Sequence, residues 1–294
     1  MKLLRAEPGE GLVWIRRAFR TFGRQPFGLA GLLAVCVFIV WTVSWIPILG
    51  GALSVLSPAG TLLFMIATSR VEAGERPLPG ALAAILGAGR PRLVELLKLG
   101  VAYFVASALA MLIIAAIDGG ATATWMEAVS GAAGSASGAS APGASGPAAS
   151  QAPLPDARML FSSLGRMVVL ALLSVPFWHA PALVYWGRQG FAKSLFFSTV
   201  AIWRNRGAFA VYGLGWFGLS LAGAMVFSVL AALLGGPPRP SLVAVMVLVV
   251  AILLYLTLFF SSLWHTVVGC FAIEPEDDEA VAAPPSPPPK ETLS

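Results

Sequence analysis

Six stretches of the chain are apolar over about the length that crosses a bilayer: 27–46, 51–68, 98–117, 164–185, 208–234 and 242–264. A spanning helix needs roughly 20 mainly apolar residues. The pattern predicts an all-α integral membrane protein with about six transmembrane helices. The second stretch is interrupted by Pro58 and Gly60, and the fourth by Pro176 and Pro181. The glycine pairs at 50–51 and 235–236 read as tight outer turns.

Between the spans a second pattern recurs. In GLVWIRRAFRTFGRQPFGLAG, Leu12, Ile15, Phe19 and Phe22 fall on one helical face, with Arg17, Arg20 and Arg24 opposite and Arg16 nearby. GFAKSLFFSTVAIWRNRGAF puts Ala192, Phe196, Val200 and Trp203 on one stripe, and PLPGALAAILGAGRPR is a shorter version broken at Pro91. Gly11 precedes Arg24, and Gly190 precedes Arg204, at nearly equal spacing. Pro58 precedes Arg70, and Pro176 precedes Arg188, at the same spacing. The sequence therefore reads as three units beginning near residues 9, 76 and 188. Each is a cytoplasmic interfacial amphipathic helix followed by a two-span hairpin.

Charge sets the expected orientation. Lys2, Arg5, Arg16, Arg17, Arg20 and Arg24 precede the first span. Arg70, Arg76, Arg90, Arg92 and Lys98 lie between the second and third, and Arg188, Lys193, Arg204 and Arg206 between the fourth and fifth. The opposite side is left with Arg158, Arg166 and Arg239. This positive-inside bias predicts a bacterial inner-membrane protein with both termini in the cytoplasm. It also accounts for the net charge of +5 without nucleic acid. The basic start and apolar run from Phe27 to Ile46 read as an uncleaved first span rather than a signal peptide. Trp41 and Trp45 at one interface, and Tyr185, Trp186 and Trp264 at the other, read as aromatic belts.

Composition agrees. The chain has 294 residues, 57% hydrophobic and 11% charged, far fewer charges than the roughly 25% of a soluble domain. Residues 1–26 form the first cytoplasmic segment and 27–273 the membrane domain. The insert at 129–155 is almost entirely Gly, Ala, Ser and Pro and is expected to stay unfolded in an outer loop. The acidic, proline-rich tail at 274–294 reads as solvated, with a docking site for a partner as the alternative.

The stretch RRAFRTFGRQPFGLAG resembles the start of a family of uncharacterised polytopic inner-membrane proteins from proteobacteria. The resemblance covers most of residues 9–273. It implies location and fold, and supplies no mechanism and no functional residues. The repeated plan is also distantly similar to the membrane-embedded extension of some glycerophosphodiester phosphodiesterases, without their phosphodiesterase domain.

Little in the chain points to chemistry. There is no GxSxG, Walker loop, HExxH or paired carboxylate, so neither enzyme activity nor a cofactor is expected. Proton-coupled transporters usually carry an acidic residue inside the bilayer, and here no acidic residue lies deep in a span. Asp118 and Arg166 sit at the outer rim. Cys36 and Cys270 read as buried structural thiols, with no metal site. Two histidines follow tryptophans: Trp178-His179 and Trp264-His265. Each is expected to bond a carbonyl or water; a haem or metal pair is the sharper alternative.

The preferred reading is a non-enzymatic, membrane-organising or lipid-sensing protein. Its Arg16, Arg17, Arg20 and Arg24 would contact anionic lipid headgroups. The alternative is a small-solute or lipid transporter. Its path would run beside the broken spans, past Ser57, Pro58, Ser174, Pro176, His179 and His265. The topology is directly testable. Reporter fusions after residue 80, 195 or 290 should behave as cytoplasmic and those after residue 140 as periplasmic; a periplasmic signal from residue 195 contradicts six spans.

Overall fold

A computed structural model describes residues 2–118, 165, 168–169, 172–233 and 242–272. The insert at 129–155, the tail at 274–294, the glycine pair at 235–236 and Arg166 lie outside the described residues, as does the first part of the fourth predicted span. The described chain is nearly all helix. A short helix α1 (Glu10–Arg24) turns at Gln25 into α2 (Pro26–Ser44). Next come α3 (Pro47–Glu72), the short α4 (Gly80–Leu86) and α5 (Arg90–Asp118). A helix over 172–177 leads to α6 (Ala180–Tyr185). The chain ends in α7 (Phe191–Arg204), α8 (Arg206–Leu233) and α9 (Leu242–Cys270). Five helices among the described residues are long and apolar enough to cross a membrane, and 172–185 forms a shorter apolar helical stretch.

Prolines explain several boundaries. Pro26 and Pro47 open α2 and α3 at the first helical position, where a missing N–H costs nothing. The expected turn at Gly50–Gly51 is not there. The chain turns at Trp45–Ile46, and α3 starts four residues before the predicted span. α3 also runs through Pro58 without a break, contrary to the interruption read from sequence. The fourth stretch does break, at Trp178–His179 between its two prolines. Pro181, in the first turn of α6, has no N–H to bond the carbonyl four residues back, so that hydrogen bond is missing across the bend. The His179 amide bonds instead to Ser198 Oγ on α7 at 3.0 Å.

Packing is densest at the end of the bundle carrying both described chain ends and most of the arginines, here called the basic end. α1 lies in a groove between α8 and α9. Trp14 is fully buried there, its indole pressed onto Gly269. A side chain at Gly11 would meet the backbone of Ala208 and Tyr212, and one at Gly215 would meet Ile15. Glycine at all three positions lets the helices approach closely. The chain ends join beside this groove: Lys2–Leu3 (β1) pairs antiparallel with Phe271–Ala272 (β2). α4 packs on α3, and α7 packs on α5 and α6. Each short helix thus rests against spans other than the one it leads into. α3 is the hub, touching α1, α2, α4, α5, α6 and α9. Its Val55 carbonyl lies against Gly100 of α5.

Two buried clusters fill this half. One centres on Trp14, Met65, Tyr212, Leu263 and Val267, the other on Leu29, Leu62, Phe64, Val71 and Leu99. Toward the other end large apolar side chains face outward, among them Phe38, Trp41, Trp45, Leu112, Val229 and Val243. Lipid tails solvate such a surface and water does not.

The Trp14 seat predicts a measurable coupling. Trp14→Ala should destabilise the detergent-solubilised chain by about 3–5 kcal/mol, and Gly269→Ala by about 1–3 kcal/mol through overpacking. Because the two residues touch, the double variant should cost less than the sum, as read by thermal unfolding. Strict additivity would show that the contact is not what holds α1.

Candidate functional site

The polar side chains of the basic end gather where α1, α3, α6, α7 and α9 meet. His265 of α9 is buried, and its Nε2 lies 3.4 Å from Thr21 Oγ1 on α1. Its Nδ1 lies 3.5 Å from Glu72 Oε1 at the end of α3. The other oxygen of Glu72 accepts the Trp264 indole N–H at 2.6 Å, a short, charge-assisted bond. Arg24 Nη1 donates to the Glu72 carbonyl at 3.0 Å. One glutamate therefore ties three helix ends together.

His179 is fully buried on the other side of the neighbouring Thr266. The Thr266 hydroxyl donates its hydrogen to the Leu263 carbonyl at 2.8 Å and accepts the Trp178 indole N–H at 3.3 Å. Its contact with His179 Nε2, at 3.2 Å, must then be accepted too, so Nε2 carries the proton. This leaves Nδ1 as a bare lone pair. It is buried without a hydrogen-bond partner among the described residues, and the Phe209 and Phe271 ring centroids stand 5.7 and 5.5 Å from that of the imidazole.

The two histidines thus share the strip Trp264–His265–Thr266. Among the described residues no three His, Cys, Asp or Glu side chains converge as a metal site would require. Sequence reading found both histidines but no carboxylate near them. Glu72 was missed because it lies on another helix, nearly two hundred residues away in the chain. Thr21, Ser198 and Asn205 likewise meet their partners only across separate elements. Cys270 is buried as expected, with the Asn205 amide 3.5 Å from its sulfur, and Cys36 is half-buried.

The transport-path residues are scattered. Ser57 is exposed and Pro58 is buried, on α3 about 22 Å along the helix axis from Glu72. Ser174 and Pro176 are half-buried on the 172–177 helix, just before the bend that carries His179.

The outer faces of the short helices form a second arrangement. On α1, Trp14, Ile15, Ala18 and Thr21 face the bundle. Arg16, Arg17 and Arg20 are exposed on the other side, Arg24 is exposed at the helix end with one guanidinium nitrogen on the Glu72 carbonyl, and Leu12 and Phe19 stand exposed at the border. On α7 the expected apolar stripe faces out: Phe196 and Trp203 are 63% and 73% exposed, while Ser194, Ser198 and Ala201 face in. Leu82 and Leu86 are exposed on α4. Inside a bilayer, small residues pack against protein and large apolar ones face lipid, the reverse of the water-soluble rule. The belt reading needs one correction. Trp264 is nearly buried, bonded to Glu72 and packed on Trp186 at 4.9 Å, so it belongs to the joint and not to the interface.

The comparisons agree with this architecture. A probable inner membrane protein of Burkholderia thailandensis is 30% identical over 276 residues, covering 93% of this chain and 95% of that protein. The chain belongs to that inner-membrane family. No protein-family model matches it, and no solved structure does. Together, the family and the apolar helices make this a multi-pass inner-membrane protein. The inner-membrane relative carries no stated activity that would assign a role to the joint.

As a fastening, the joint makes a clear prediction. Glu72→Ala should lower unfolding stability in detergent by about 2 kcal/mol. Glu72→Gln should cost less, since its amide oxygen still accepts the Trp264 N–H. The readout is thermal unfolding followed by tryptophan fluorescence, and equal losses in the two variants would contradict that bond.

Proposed function

We propose that this chain is a non-enzymatic protein of the inner membrane that senses or organises anionic lipid through a collar of short helices at its cytoplasmic face. The supporting observation is the two-sided character of α1, α4 and α7. One side of each packs into the bundle; the other presents Leu12, Phe19, Leu82, Leu86, Phe196 and Trp203. Arginines flank these side chains. A helix of this kind buries its apolar edge at the acyl boundary and sets its basic groups among headgroups. Four arginines on α1, each worth about 1 kcal/mol beside an anionic leaflet, make the attraction substantial.

The same packing supports a threefold internal plan. α1 docks on the α8–α9 pair, α4 on α3, and α7 on α5 and α6. Each short helix rests on the hairpin before its own, and the first rests on the last. Three two-span units arranged in a ring account for this order. The plan carries six spans, both termini in the cytoplasm, and a collar running around the whole bundle.

The collar reading is tested on the full chain in bilayers. Unfolding temperature should rise when phosphatidylglycerol is added to phosphatidylcholine nanodiscs. Replacing Arg16, Arg17, Arg20 and Arg24 with Gln should remove most of that rise. An unchanged rise in the variant would mean that the arginines serve only to orient the chain.

A further inference from the structure

The elbow between α7 and α8 holds a group of arginines that neither the joint nor the α1 collar uses. Its centre is Asn205, only 1% exposed. Its Oδ1 accepts the Ala6 N–H at 2.8 Å, and its Nδ2 donates to the Leu4 carbonyl at 3.3 Å and the Ala201 carbonyl at 3.0 Å. The backbone is thereby held on both sides of Arg5, beside the two arginines that flank Asn205 itself. Arg5, Arg204 and Arg206 line both of two concavities, of about 530 and 570 Å³. All three are exposed, and among the described residues none is paired with a carboxylate. Among the described residues that line them, Glu7 alone adds an opposite charge, in the second concavity.

Three cations held together by a buried asparagine repel one another until an anion joins them. Guanidinium forks match phosphate oxygens two at a time. Arg206 also opens α8, whose free N–H groups add positive potential. The first concavity is also lined by Trp203 and Val200. Apolar side chains beside a cluster of guanidinium groups suit a ligand with both parts.

We propose that Arg5, Arg204 and Arg206 bind the phosphate of one anionic lipid headgroup, with the lipid's apolar part lying against Trp203 and Val200. This deepens the collar reading by naming a single stoichiometric site within it.

The test uses the delipidated full chain in neutral detergent and native mass spectrometry. Phosphatidylglycerol should bind one per chain in preference to phosphatidylcholine. Changing Arg5, Arg204 and Arg206 together to Gln should weaken that adduct about fivefold per arginine, roughly a hundredfold in all. The corresponding triple Lys variant should keep part of the binding and serves as the folding control. Trp203→Ala should weaken lipid binding. Wild-type affinity in the triple Gln variant overturns the site. Displacement of the lipid by an equal concentration of inorganic phosphate overturns the lipid assignment. The four-arginine α1 variant separates the two readings. It should lose the additional, non-stoichiometric lipids of the collar and keep the one-to-one adduct.

Discussion

The close seating of α1 between α8 and α9 governs the rest of the molecule. Trp14 is fully buried against Gly269, and Gly11 lies on the backbone of α8. Lipid tails are as apolar as leucine, so burying apolar surface gives little drive for helices to associate in a bilayer. Close backbone approach and polar contacts must supply it. Here glycines allow the approach, and the first and last helices of the described chain are joined by it. The β1–β2 pair and the Asn205 bonds to residues 4 and 6 extend the same closure along the N-terminal segment.

With α1 seated, the end of α1 meets the ends of α3 and α9, and the joint at Glu72 follows. Thr21 and Arg24 come from α1, Glu72 from α3, and Trp264 and His265 from α9. α1 is anchored along one side and free along the other. Its arginines and its Leu12–Phe19 border can therefore sit at a fixed height relative to the spans. A loosely attached amphipathic helix would report the membrane surface only to itself. α1 is instead packed against α2, α3, α8 and α9, so its position is fixed by the bundle.

The spans were legible because a bilayer imposes a length, and α2, α5, α8 and α9 cover the stretches read from hydropathy. What failed was reading faces. The α7 pattern of Phe196 and Trp203 was read as an apolar stripe without a direction. Its packing side is the Ser194–Ser198–Ala201 row, which looks unremarkable in a linear sequence. Trp14 was overlooked because arginines follow it closely, and charge in a segment masks one deeply buried residue. The proline readings split for a physical reason. One proline in the long α3 is tolerated within the helix, whereas Pro176 and Pro181 flank a two-residue bend. The candidate site was half legible. Histidine is rare enough here to stand out, but a partner such as Glu72 is found only when two distant helix ends meet.

Where the polar groups sit is itself informative. Each unsatisfied donor or acceptor in hydrocarbon costs several kcal/mol, so a membrane bundle can afford a polar joint only where partners or water are near. The Glu72 side chain, 38% exposed, lies at that border, and His265, deeper, is reached from it. His179 is deeper in the packing than Glu72, and its network is correspondingly closed. Thr266 uses its one hydrogen and both lone pairs, which leaves the imidazole no partner for Nδ1. The imidazole packs edge-on against the Phe209 and Phe271 rings, and among the described residues no set of metal ligands converges on it. The backbone N–H of His179, not its ring, bonds Ser198 Oγ, and this ties the bend at 178–179 to α7. α7 begins at Phe191, whose N–H is held by Glu95 Oε2 of α5 at 2.8 Å, and it carries Trp203 and Arg204 to the elbow. Contacts within the bundle thereby set the position of the helix that carries those surface side chains.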